Sequence, residues 1–259
     1  MTDVAPQPSP NGQCGHNQYW NPAMGIVGGT DAKEFEFPSQ VSIHSPLGFC
    51  GGSIIDDEWV LTAGHCCYSN ASDYTIYYKL QISQTIFDAA SEPRSVCQVN
   101  VHPNYQVNNN FYDAYADFCL LKVSTPFDFS NLNEAQPACL PRECSTSEVC
   151  QPGESMLAVG LGLTYPSGPV AETLLKTYQT MMTDSYCDQA YGQYWNREDG
   201  LYFCAFLKDQ GMTGTCSGDS GGPSFCYKNG YLMIQGVTSW GELCSGRFFS
   251  YFIFIINSF

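Results

Sequence analysis

The chain has 259 residues, 44% hydrophobic and only 14% charged, which gives it material for a buried core and sets it apart from disordered segments. Its net charge of −15 excludes partners that attract through negative charge, nucleic acid and anionic membranes among them, and fits a soluble protein. Fourteen cysteines point to an oxidising compartment, and without paired C-x-x-C elements no metal or other cofactor is expected.

In chain order, residues 1–25 carry four prolines and little apolar pattern, the composition of a pro-segment rather than a folded domain. Met1 to Pro10 lacks the apolar stretch of a signal peptide. From Ile26 onward short apolar runs alternate with turn residues: Gln40 to His44, Ser53 to Ile55, Trp59 to Leu61, Phe118 to Val123, Met156 to Val159 and Leu232 to Val237. These lengths and spacings predict an all-β barrel architecture. A helix is expected around Ser185 to Tyr191 and a short one near Ala63. Glycine, proline, serine and cysteine cluster between Pro137 and Pro152, dividing a domain of 26–259 into halves of about 26–137 and 138–259. Asn70-Ala71-Ser72 is a glycosylation sequon. Phe248 to Phe259 is apolar but, at 12 residues, too short to span a bilayer.

Four motifs carry chemistry. Ile26-Val27-Gly28-Gly29 follows the pro-segment. Leu61-Thr62-Ala63-Gly64-His65-Cys66 offers an imidazole, Asp117-Phe118-Cys119-Leu120-Leu121-Lys122 a carboxylate, and Gly218-Asp219-Ser220-Gly221-Gly222-Pro223 a glycine-framed hydroxyl. A lone histidine is more often structural, but a base, an orienting acid and a serine in this order form a nucleophile constellation. From about Ile26 to about Cys244 the sequence resembles the chymotrypsin/trypsin family of serine endopeptidases. The resemblance implies two antiparallel six-stranded barrels with the site in the cleft between them. The continuation Leu120-Leu121-Lys122 favours Asp117 over Asp113, which is read as an exposed loop acid.

The resemblance also implies roles. Ser220 is the nucleophile, His65 the base and Asp117 its orienter, with the N–H groups of Gly218 and Ser220 forming the oxyanion hole. Activation frees the amino group of Ile26 to pair with Asp219. Ser239, Trp240 and Gly241 bind substrate backbone, and Gly214 lies at the base of the primary pocket, uncharged and suited to a large apolar side chain. Disulfides are implied between Cys50 and Cys66, Cys187 and Cys204, Cys216 and Cys244, and Cys14 and Cys139. Cys67–Cys97 and Cys144–Cys150 are local pairing options, and Cys226 is either free or joined to Cys119.

Three features depart from the family pattern. Gly25 stands where a tryptic activator needs Arg or Lys, and neither occurs from Met1 to Gly25. The second is the uncharged residue Gly214. The third is Ser245-Gly246-Arg247-Phe248-Phe249-Ser250, where the family has its last pocket strand. That departure fits a truncated or frame-shifted gene and predicts an incomplete second barrel with exposed aromatics. The expectation is a secreted, monomeric serine endopeptidase zymogen, acting on protein or peptide substrates after apolar residues. It would need an activating protease and no membrane or nucleic-acid partner. The alternative is a non-catalytic homologue that binds a partner through the same cleft.

Overall fold

Alternation of apolar and polar residues becomes fifteen strands among the described residues of the computed structural model. It describes residues 14–15, 17, 29–80, 92–107, 114–141, 146–165, 167–191, 202–206, 214–241 and 250–254. In chain order these are β1 (Thr30–Asp31), β2 (Gln40–Ser45), β3 (Gly48–Ile54), β4 (Trp59–Thr62), β5 (Thr75–Tyr78), β6 (Glu92–Val101), β7 (Gln106–Val107), β8 (Ala114–Tyr115) and β9 (Cys119–Val123). They continue with β10 (Ser155–Gly160), β11 (Leu175–Met181), α1 (Asp184–Tyr191), β12 (Tyr202–Phe206), β13 (Pro223–Lys228), β14 (Tyr231–Gly241) and β15 (Ser250–Phe254).

The first six-stranded unit is a closed antiparallel barrel in the order β2-β3-β4-β9-β6-β5. In β9, Cys119, Leu121 and Val123 face inward while Leu120 and Lys122 are half-buried, the period of two that a pleated strand imposes. Val41, Ile54, Val60, Ile76 and Leu121 fill its interior, each with essentially no exposure.

The second sheet runs β1-β11-β10-β13-β14-β15-β12, and β12 returns to β11 through two residue pairs, Thr180↔Phe206 and Met181↔Ala205. It is more open than the first barrel. Its core holds Leu157, Val159, Phe225, Ile234 and Val237. Together the two sheets make the double-barrel arrangement expected of the chain. The expected helix is α1, with Asp184 in its first turn, where an acid complements the helix dipole. The expected short helix is a 3-10 turn over Gly64–Cys66.

The absent closing strand is corrected. Ser250–Phe254 is rich in aromatic and β-branched residues, the composition that suits a pleated surface, and as β15 it pairs with both β14 and β12. Nor is Phe252 an exposed aromatic: it is fully buried and stacks on Phe203, with ring centroids 5.2 Å apart. Replacing Phe252 with Ala is therefore expected to lower unfolding stability by about 3–5 kcal/mol, measured by urea denaturation. A loss near zero would contradict the packing of this tail.

The cysteine options are corrected too. Cys67 is bonded to Cys119, not to Cys97. The β4–β9 register puts Cys119 opposite Thr62 beside the histidine turn, whereas the β6 bulge beyond Val96 sets Cys97 at the other end of β9 as an exposed free thiol. Cys150 is bonded to Cys226, not to Cys144. Its backbone N–H and C=O clamp the buried Gln235 amide on β14, next to the strand that carries Cys226. Cys226 is thus neither free nor joined to Cys119. The structure also contains Cys14–Cys139, Cys50–Cys66 and Cys187–Cys204. Cys216 is disulfide-bonded; Cys244 and Cys144 lie outside the described residues.

Candidate active site

Beyond Thr62 the β4 chain leaves the barrel, and Ala63 remains extended at φ −80° before the 3-10 turn that carries His65. Cys50–Cys66 ties this turn to β3 and Cys67–Cys119 ties it to β9. Asp117 comes from the segment just before β9. There Ala116 holds a left-handed φ of +49°, uncommon for a residue with a Cβ and retained where surroundings enforce it.

These two segments meet. The His65 Nδ1–H donates to Asp117 Oδ2 at 2.7 Å, and the His65 backbone N–H donates to Oδ1 at 2.8 Å. Assigning the proton to Nδ1 follows from the carboxylate's being an acceptor only. From the second sheet, the Ser239 hydroxyl donates to Oδ2 at 2.7 Å. Asp117 is fully buried while a quarter of the His65 side chain is exposed. Burial works against protonating the imidazole, but the hydrogen bond and charge of Asp117 outweigh it and leave the His65 pKa above its ordinary 6.5.

Ser220 approaches from the second sheet. Its carbonyl accepts from Gly51 N–H at 2.8 Å, and Thr62 Oγ1–H donates to the Gly51 carbonyl at 2.8 Å. Gly221, at φ +79°, fits because a Cβ there would collide with Thr62 Oγ1. Gly218, at φ +98°, passes so close to Phe49 that a Cβ would fall 2.5 Å from the ring. Such positions exclude side chains. No hydrogen bond joins Ser220 Oγ to His65 among the described residues, and neither the Gly218 nor the Ser220 N–H donates to a described protein acceptor.

Between them in sequence, the Asp219 carboxylate turns inward. Gly162 N–H and Cys216 N–H each donate to it at 2.7 Å. It faces a cavity lined by Gly29, Val159, Gly160, Leu175, Lys176 and Gly214. Lys176 is not its counter-ion, because the ammonium is committed to the buried Glu36 at 2.6 Å. Burial pushes the Asp219 pKa up to about 6, opposed by the two backbone donors.

Trp240 packs against the Cys187–Cys204 bridge, and Gly241 ends β14. Ile26, Gly25 and Asp113 lie outside the described residues. Among the described residues, Cys50, His65 and Cys66 cluster at metal-ligand separations, but the two sulfurs are bonded to each other and offer no thiolate. Three contacts were not read from sequence. The Ser239 side chain serves Asp117, whereas the motif had suggested only its backbone. Tyr105 lays its ring against Gly64, and Phe49 against Gly218; neither residue stands in a recognisable motif.

Among known protein families, the model described as Trypsin matches residues 26–257.

Proposed function

The chain belongs to the trypsin family, and on that premise we propose that it is a secreted serine endopeptidase working through His65, Asp117 and Ser220. The observation that carries this reading is the doubly bonded Asp117, which fixes His65 by Nδ1 and leaves Nε2 without a partner among the described residues. In the proposed reaction Ser220 Oγ attacks the scissile carbonyl carbon as its proton passes to His65 Nε2. The tetrahedral oxyanion is held by the N–H groups of Gly218 and Ser220. The intermediate then expels the amine, which takes the proton from His65, and leaves an acyl ester on Ser220. Water deprotonated by His65 attacks the ester and restores the serine. The Ser220–His65 hydrogen bond is made when substrate fills the cleft.

Activation rests on the Asp219 cavity. Gly29 lines it, and the three residues back to Ile26 span about 10 Å when extended, so a freed Ile26 ammonium has the reach to neutralise the carboxylate. Because Gly25 precedes it, the activating protease cuts after a small residue. Cys14–Cys139 keeps the cut pro-segment attached. Gly214 and Gly241 bring no charge to the primary pocket, which supports cleavage after Phe, Tyr, Leu or Met.

The test uses full-length protein cleaved between Gly25 and Ile26 through an engineered site in residues 21–25. Peptides with Phe, Tyr, Leu or Met before the scissile bond are expected to be hydrolysed faster than those with Lys or Arg. The kcat/KM profile should rise with pH as His65 loses its proton, its midpoint above 6.5 because Asp117 favours the charged ring. At alkaline pH it should fall as the Ile26 amine deprotonates. Absence of any turnover with a verified Ile26 terminus would favour the binding homologue instead.

A further inference from the structure

The β4–β9 ladder ends at the pair Thr62↔Cys119. Both functional side chains lie beyond that end: His65 on the 3-10 turn and Asp117 on the segment held by left-handed Ala116. No strand pairing fixes either one, so something off the ladder must set their separation. The Cys67–Cys119 bridge spans this gap. Cys67 is two residues after His65 and Cys119 two residues after Asp117, and both are buried, at 6% and 1% exposure. The bridge thus closes a small ring through the histidine turn, the sulfurs, Cys119, Phe118 and Asp117, with the His65–Asp117 hydrogen bonds across its mouth. Within the ring, Phe118 N–H donates to the Ala116 carbonyl at 2.7 Å, which tightens the turn that aims the acid.

We propose that the Cys67–Cys119 bridge is a positioning device that sets the His65–Asp117 geometry where strand pairing has run out. It touches neither substrate nor reacting atoms and acts through the imidazole. Cys50–Cys66 secures the histidine turn to β3 and makes no covalent link to the acid's segment; among the described disulfides, Cys67–Cys119 is the one that joins the two segments. This inference rests on reading His65 and Asp117 as the base and its orienter. Small errors in such a pair are costly, since a displacement of about 1 Å loses on the order of a hundredfold in rate.

The test compares full-length Cys67→Ala/Cys119→Ala with the parent protein. Cys67→Val/Cys119→Ala refills the space should the first variant fail to fold. Cys14→Ala/Cys139→Ala, which removes the bridge between the pro-segment and Cys139 and leaves Cys67–Cys119 in place, serves as control. The first readout is the NMR titration of His65 in the uncleaved chain, which needs no activity. The Asp117 contact raises the His65 pKa, so loosening it should lower the midpoint in the cross-link variants and leave the control at the parent value. The second readout is peptide hydrolysis after cleavage at Ile26, where kcat should fall about tenfold to a hundredfold with KM unchanged.

A lowered melting temperature with parental His65 titration and parental kcat would assign the bridge to stability alone and overturn the proposal. Failure of both cross-link variants to fold would overturn it in the same way. A parent that hydrolyses nothing would sink the protease reading, while the titration would still decide whether the bridge positions the pair.

Discussion

Asp117→Asn is expected to lower kcat by about 10⁴-fold, the scale of the same change in a Ser-His-Asp triad, while the protein stays folded. Asp117 is an acceptor throughout: Oδ1 takes the His65 backbone N–H, and Oδ2 takes Nδ1–H and the Ser239 hydroxyl. An asparagine replaces one oxygen with an amide donor. With the amide nitrogen facing Nδ1, that atom must accept, and the ring proton moves to Nε2. There it blocks the lone pair that would take the Ser220 proton. With the nitrogen facing the backbone N–H instead, two donors collide in a fully buried site. Steady-state kinetics on cleaved protein, with circular dichroism to confirm the fold, measures the effect. A loss under tenfold would remove Asp117 from the mechanism.

The second large effect is expected at Asp219. In the uncleaved chain its carboxylate is buried with two N–H donors and no cation among its described partners, so its pKa stands at about 6 against an ordinary 3.8. The native state therefore holds a proton that the unfolded chain has already released. Stability from this group is full below pH 3.8 and is lost as pH rises through about 6, by about 3 kcal/mol in all. Asp219→Asn should abolish that slope in urea titrations from pH 4 to 7. Once cleavage delivers the Ile26 ammonium, the pairing reverses the cost. The same substitution should then lower kcat about 10²–10³-fold, the scale of one lost oxyanion donor, because nothing anchors the turn between Gly218 and Ser220. A uniform pH slope in parent and variant would contradict the burial argument. Full activity in cleaved Asp219→Asn would contradict the switch.

Much of this was legible because it is local. The β9 alternation and the Gly218–Pro223 glycines are dictated by pleat geometry and by close backbone approach. What escaped depends on contacts distant in sequence. The Ser239 hydroxyl reaches an acid 122 residues away, and nothing in Ser239-Trp240-Gly241 distinguishes its side chain from its backbone. Cys67 has a near neighbour in sequence at Cys97, but strand register brings it to Cys119 instead, and register cannot be read from cysteine spacing. The tail looked irregular because it lacks the family's residues. Yet Ser250–Phe254 satisfies the same demand, an apolar β-forming segment to pair with β12 and β14.

The most direct measurement is active-site labelling of the cleaved protein with a fluorophosphonate, followed by peptide mapping. One adduct per chain on Ser220, lost in His65→Ala and in unfolded protein, is the predicted result. Labelling spread over several serines, or a Ser220 that stays unmodified while Ile26 is verified as the new terminus, would show that the imidazole does not activate this hydroxyl.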